Sequence, residues 1–434
     1  MHNMKYILIS TMLLVLTAVM IGCTSAPIDT KQLAEKSRAI LNDQVKSGSK
    51  QNRETIVRLT GGMVDEEAIP LLNQALKDIE PGIVDKAMEK VIEKKNTATR
   101  DEIRAKLGDK FDSKLIEILI ELKSEDIDAN IEKGLQSLRP NERALAVELL
   151  GKYKGKLAID RLKQFANDPS DAVRLKAKVA LARVGDDEAK KELAKYLDTP
   201  DSLEAMAVVS LAGELDWKEY RDKILKIAKE DKGMMGVEAI RTLYKWDDPE
   251  SHALVREKLA GKIDIAQYPL LKMVEEKKDK EMIDMLRRAM ASPKPEERYS
   301  AARVAVTIDP ENTKDVLDFI LKGMDSGDAG VKEQVAISLS QLPGIPEVKK
   351  VLEKKGIKDD SPAVVDASLV ALGKVGDEES IKEMAPLLND ANPEIRATAA
   401  AAILNIIDKK SLPGNLGGEA STEEKDAKGQ EGTK

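Results

Sequence analysis

DPSDAVRLKAKVALARVGDDEAKKELAKYLD, residues 168–198, is the stretch that decides the fold. Asp168-Pro169-Ser170-Asp171 supplies a turn and a helix N-cap, since proline is tolerated where a helix begins. Val173, Ala177, Ala180, Leu181 and Val184 then recur at helical spacing and make one apolar stripe. Gly185-Asp186 ends that helix and caps a second, placing Asp187 and Glu188 where the helix dipole favours acids. Ala189, Leu193, Tyr196 and Leu197 form the stripe of the second helix, and Thr199-Pro200-Asp201 restarts the cycle. The stretch reads as a helical hairpin.

Its central segment, ALARVGDDEA at 180–189, returns as ALGKVGDEES at 371–380. Taking Leu181 and Leu372 as anchors, the pattern continues between them through Leu211, Leu243, Val274, Val306 and Leu339. Leu150 extends the series backward, followed by Ile120, Ile92 and Leu59 with progressively weaker surroundings, and Ile403 closes it. The chain therefore repeats about every 32 residues, giving about twelve hairpins. One hairpin cannot bury both of its stripes, so neighbours must stack into a continuous core. The expectation is an all-α, right-handed α-α superhelix over residues 45–410, extended like a rod. Residues 29–43 (DTKQLAEKSRAILND) read as a short amphipathic capping helix, placed within a 23–44 tether. Residues 411–434 are polar and read as a disordered tail.

The units resemble HEAT repeats, in particular the short kind of phycobilisome-lyase-like proteins. There an acidic turn residue precedes a Val-Arg pair, small residues and a leucine. Asp168…Val173-Arg174…Leu181 and Asp390…Ile395-Arg396…Ile403 match, and Val331-Lys332…Leu339 nearly does. The basic place is Glu204, Gly236, Gln267, Tyr299 and Val365 in other units. Tetratricopeptide repeats have a similar period, but their Trp, Gly-Tyr and Pro landmarks do not recur. The resemblance implies a HEAT-like solenoid and is nearly silent on function, because such folds host many binding roles.

At the N-terminus, residues 1–6 carry one positive charge and Ile7 to Gly22 follow as an apolar run too short to span a membrane. The run ends in Met20-Ile21-Gly22-Cys23. This resembles the bacterial lipobox, with Met20 where leucine is more usual. The resemblance implies a signal peptide over 1–22, cleavage after Gly22, and diacylglycerol and acyl chains on Cys23. Two or three such chains anchor a protein stably. Thr24 is not the aspartate of inner-membrane retention. The implied location is therefore the cell envelope: the periplasmic face of the outer membrane in a two-membrane cell, otherwise the outer face of the cytoplasmic membrane.

Composition narrows the function. The formal net charge is −7, and the first 22 residues remove only Lys5, which argues against nucleic acid as a main partner. Cys23 is the only cysteine and the histidines are His2 and His252, so usual metal ligands are scarce and no metal or cofactor is expected beyond the acyl chains. Deoxyhypusine hydroxylase, which resembles this architecture, needs several His-Glu pairs, and His252 is followed by Ala253. HEAT-like DNA glycosylases need a basic face, and bilin lyases fit poorly with export. Gly61-Gly62 and Gly417-Gly418 lack phosphate-loop spacing. Asp186-Asp187, Asp247-Asp248 and Asp359-Asp360 fall at repeat turns, where carboxylates cap helices.

Aromatics cluster mid-chain. Trp246 sits three after its anchor and is expected in the core, whereas Trp217, six after its anchor and in a turn, is expected to be exposed. With Tyr220 it is the candidate binding residue pair. His252 is expected to face solvent. The reading is a membrane-tethered, non-enzymatic scaffold that binds an envelope protein or peptide. The alternatives are an accessory subunit of an envelope enzyme or secretion complex, or a glycan or small-ligand binder.

Overall fold

The computed structural model describes residues 29–95, 97–199, 203–231, 233–261 and 268–411. Among them every regular element is helical. A first helix, α1 (Thr30–Ser47), precedes eleven hairpins. These are α2 (Lys50–Thr60) with α3 (Asp65–Ala75), α4 (Pro81–Lys94) with α5 (Arg100–Leu107), α6 (Ser113–Glu121) with α7 (Asp128–Leu135), and α8 (Pro140–Lys154) with α9 (Ile159–Phe165). They continue with α10 (Asp171–Arg183) and α11 (Asp187–Ala194), α12 (Leu203–Glu214) and α13 (Arg221–Glu230), α14 (Met234–Lys245) and α15 (Ser251–Gly261), and α16 (Tyr268–Glu276) and α17 (Ile283–Ala289). Then come α18 (Pro295–Ile308) and α19 (Lys314–Lys322), α20 (Ala329–Leu339) and α21 (Pro346–Lys354), and α22 (Pro362–Val375) and α23 (Glu378–Met384). One more first helix, α24 (Pro393–Ser411), ends the described chain.

Eleven complete hairpins and an unpaired first helix leave α24 without a mate, and α1 is that mate. It lies along α24 over much of its length and also touches α2 and α3. Those are the contacts that the second helix α19 makes: with its own first helix α18, the next first helix α20 and the next second helix α21. In the neighbouring row α24 packs directly on α2. The repeat superhelix therefore closes on itself, and its twelfth unit is assembled from the two ends of the chain. The helix read as a cap on a free end is in fact the missing half of a repeat. The body is a ring rather than a rod, and it starts at residue 30 instead of 45.

Anchor burial follows the repeat. Leu59, Leu150, Leu181, Leu211, Leu243, Val274, Val306, Leu339, Leu372 and Ile403 are buried. Ile92 and Ile120 are only half-buried; Val91 and Leu119, one place earlier, take the core positions. Small residues let adjacent first helices approach closely. A Cβ on Gly151 would lie 2.8 Å from the Ala180 Cβ, and one on Gly373 3.0 Å from the Ala402 Cα.

The Val-Arg pair has a local purpose. The Arg174 guanidinium donates to the carbonyl oxygens of Asp168 (2.7 Å) and Pro169 (3.0 Å), and Arg396 does the same to Asp390 and Ala391. These turn carbonyls have no helical partner, so a cation one turn into the helix satisfies them. Near Tyr299 the register is one place off. Arg298 makes the equivalent bonds to Ser292 and Pro293, while Tyr299 is buried and stacks on Phe319. Asp168 accepts the Ser170 N–H and a bidentate pair from Arg143 of the preceding unit, both at 3.0 Å. Asp78 with Arg53, and Asp248 with Arg221, repeat the arrangement. Arg143 beside Asp168, and Arg221 beside Asp248, hold those carboxyls below the usual range.

Between first and second helices a left-handed residue recurs: Lys95, Lys123, Gly155, Gly185, Asp216, Asp247, Lys278 and Gly344. It reverses the chain in the way a helix C-cap requires, which favours glycine.

Candidate interaction surface

Around a closed ring the row with the shorter circumference must be the more crowded. Consecutive first helices touch each other nearly all the way round, whereas second helices are farther apart, so the first helices form the inner wall. A single concavity of about 1120 Å³ agrees with this assignment. It is bordered by Ser210 of α12, Arg241 of α14, Met273 of α16, Arg303 of α18 and Gln341 just after α20. Only a concave wall presents five successive units to one space.

That wall is polar, and its charges are matched between neighbours. Lys86 pairs with Glu54 at 2.9 Å, Lys152 with Glu117 at 2.6 Å, Lys176 with Glu148 at 2.6 Å and Arg183 with Glu214 at 2.9 Å. Arg303 and Glu275 form a two-pronged pair. Away from the seam, charges paired in this way leave little to attract a polyanion. Apolar side chains interrupt it. Tyr268 and Met273 border the large concavity, and the exposed Leu145 and Ile337 occupy the helical places that Glu238 and Arg241 hold there.

Trp217 does not lie on this surface and is not exposed. It is 3% accessible, makes an edge contact with the half-buried Tyr220 at 6.2 Å, and has the Lys190 ammonium over its ring. The turn after α12 folds back through a bond from the Trp217 N–H to the Ala212 carbonyl, which turns the indole inward. Trp246 is buried, as its spacing predicts. His252 is half-buried rather than solvent-facing. Its Nε2 lies 3.1 Å from Asp279 Oδ2, which also accepts the Tyr244 hydroxyl at 2.6 Å. Burial and that carboxylate push the Tyr244 hydroxyl well above the ordinary range. Asp279 is occupied as a cap as well, accepting the Glu281 N–H, so the cluster ties two turns together.

Asp186, Asp248 and Asp359 accept backbone N–H groups at the turns, consistent with capping. Among the described residues no group of three or more His, Cys, Asp or Glu is placed to hold a metal ion. None of the described helices is long and apolar enough to cross a membrane. Met20, Ile21, Gly22 and Cys23, and the tail from residue 412, lie outside the described residues.

The feature the sequence did not reveal is the seam. There Arg58 of α2 reaches Asp366 of α22 at 3.1 Å, Thr398 of α24 donates to the same carboxylate at 2.5 Å, and Lys36 of α1 donates to Asn389 at 2.7 Å. A cavity of about 260 Å³ lies between α2, α4, α22 and α24. The one available signal was arithmetic: twelve anchors, but a leftover helix at the start and a leftover first helix at the end.

Among solved structures the chain is similar to Kap95p, in a study of how Kap95p binding acts on RanGDP, with 13% identity and a TM-score of 0.41 over 87% of this chain and 57% of that one. It is also similar to a mutant of Kap121p, with 13% identity and a TM-score of 0.38 over 88% of this chain and 50% of that one. The chain thus spans about half the length of either. No curated protein matches it. Residues 127–212, from the end of the turn before α7 into α12, match the family model for HEAT repeats, so this part of the helical superhelix carries HEAT repeats.

Proposed function

We propose that this chain is a non-catalytic ring, tethered to an envelope membrane through acyl chains on Cys23, that holds an envelope protein or peptide on its inner wall. The observation that carries the binding part is the inner wall itself. First helices of successive units form one concave surface, with apolar Tyr268, Met273, Leu145 and Ile337 set among matched charges. Apolar anchors rimmed by polar groups are the usual composition of a protein-binding surface. Twelve helices at ordinary spacings of ~8–10 Å would enclose an opening of roughly 20–28 Å. That width suits a helix, a strand or a small domain.

The tether rests on Met20-Ile21-Gly22-Cys23. Thr24 favours the periplasmic face of the outer membrane in a two-membrane cell, and the outer face of the cytoplasmic membrane otherwise. Cys23→Ala should leave an unprocessed precursor, visible as a larger band that no longer incorporates labelled fatty acid. Normal processing of that variant would sink the tether. For the wall, a photo-crosslinking residue at Met273 should capture one or a few discrete envelope proteins, and one at Leu157, exposed in the turn between α8 and α9, should not. Equal capture from both positions would remove the inner wall as the binding surface.

A further inference from the structure

We propose that the seam cavity binds a small, multiply charged anion bearing phosphate or carboxylate groups, and that the bound anion ties the two ends of the repeat array together. Elsewhere on the inner wall several cations meet a carboxylate on the adjacent first helix, as Lys86 does Glu54 and Arg303 does Glu275, and others, such as Arg241 and Lys272, meet one on their own helix. At the seam that matching fails. Arg58, Lys90 and Lys374 border the cavity, and Glu93 is the only carboxylate among its lining residues. Lys90 reaches Glu93 on its own helix at 2.5 Å, and Arg58 reaches Asp366 just outside. The exposed Lys374 ammonium has no ion pair among the described residues.

One neighbouring group registers the excess. The Lys409 ammonium, donating to the carbonyls of Gly373 and Lys374, is held below the ordinary lysine range by burial and by the charge of Lys374. Asn405 also borders the cavity, and its amide N–H groups are donors of the kind an anion accepts from. Gly61, Gly62, Ala401 and Ala402 line the space and keep it open. The space, about 260 Å³, has room for several waters, or for a compact polyanion in their place.

The chemistry suits such a ligand. A guanidinium offers a planar fork to an oxyanion, and ammonium groups add point charges. Arg58 and Lys90 come from the beginning of the array, Lys374 and Asn405 from its end, so an anion held by both stabilises the closed ring by mass action. The cavity would bind it whether or not the chain is lipidated.

The full chain is titrated with citrate or with inorganic phosphate at fixed ionic strength, with glycerol as the uncharged control. Heat of binding and amide exchange of residues 30–47 and 393–411 are followed. Either anion should give a saturable heat at millimolar concentration and slow exchange in those two helices, while glycerol does neither. The stronger of the two identifies the ligand as polycarboxylate or phosphate. Lys374→Ala and Lys90→Gln should each weaken binding by about tenfold or more, and Lys374→Arg should retain it. Lys272→Ala, on the inner wall away from the seam, should leave it unchanged. Lys374 is exposed, so its loss does not threaten the fold. The proposal is overturned if neither anion gives a saturable heat, if Lys374→Ala binds like the wild type, or if binding leaves exchange at the seam untouched.

Discussion

Between the fourth and fifth units α8 lies along α10, Lys176 meets Glu148, and Arg143 clasps Asp168. Between the twelfth and the first, α24 lies along α2 and α1 fills the place of a second helix, while Arg58 reaches past α24 to Asp366 of the eleventh unit. The packing is the same in kind; the covalent connection differs. At the ordinary joint the partners are sequence neighbours joined by a short turn. At the seam they are about 350 residues apart. Closing so long a floppy loop would cost about 5 kcal/mol. A solenoid of fixed curvature already carries its ends toward each other, so closure costs less than that. The joint can form locally, whereas the seam forms only when the whole array has the right curvature.

The harshest way to separate the two is to bury a charge in each. Leu211→Asp, in the middle of the array, should cost more than ~4 kcal/mol and unzip neighbouring units, seen as lost helix by circular dichroism. Leu41→Asp, in α1, should cost as much locally but open the ring and leave the other hairpins folded. Its radius of gyration should rise while most helix signal remains. Loss of all helix in Leu41→Asp would mean that the hairpins depend on closure.

A gentler break acts on the turn that the seam lacks. Gly185 sits at φ 94°, so Gly185→Ala should cost about 1–2 kcal/mol and leave the radius unchanged. Lys278→Gly, which relieves a side chain held in the same left-handed region, should raise Tm slightly.

Acid should act on the two regions with opposite sign. The folded pKa of Asp168 is lowered, so its contribution is present above the unfolded value of about 3.9 and lost as pH falls through the folded one. Asp168→Asn should therefore cost on the order of 1 kcal/mol at pH 7, the difference shrinking below about pH 3.9. Asp408, near the seam, has its pKa raised by burial and by Glu67. Its ionisation opposes folding as pH rises above about 3.9. Asp408→Asn should stabilise the chain at neutral pH and change nothing in strong acid. Denaturation midpoints across that range check both signs. The smallest effect is expected from exposed pairs: Arg58→Ala at the seam and Arg183→Ala at the next ordinary joint, between α10 and α12, should each cost less than about 1 kcal/mol, and less still in high salt.

The repeat was legible because each anchor must be apolar to be buried, and ten of twelve are buried where spacing puts them. Ile92 and Ile120 misled because Val91 and Leu119 beside them are equally apolar, so hydrophobicity alone does not fix the register. Trp217 misled because its position in a turn implied solvent, while a backbone bond to Ala212 turned it inward. The seam was illegible for a deeper reason. An amphipathic helix states that it has a partner without naming which one, and the partner of α1 is at the other end of the chain. Of the inner wall, local patterning gave the helices, but which face curves inward emerges only from the closed ring.

Splitting one unit between the two ends also sets an order of events in time. α1 is the first of the described helices to be synthesised and its partner the last, so at ~5–20 residues per second α1 waits roughly 20–70 s before α24 exists. Through that interval it can rest on α2 and α3, but the oily flank that packs on α24 has no native partner. A newborn chain of this kind needs something else to shelter that flank until its own far end arrives.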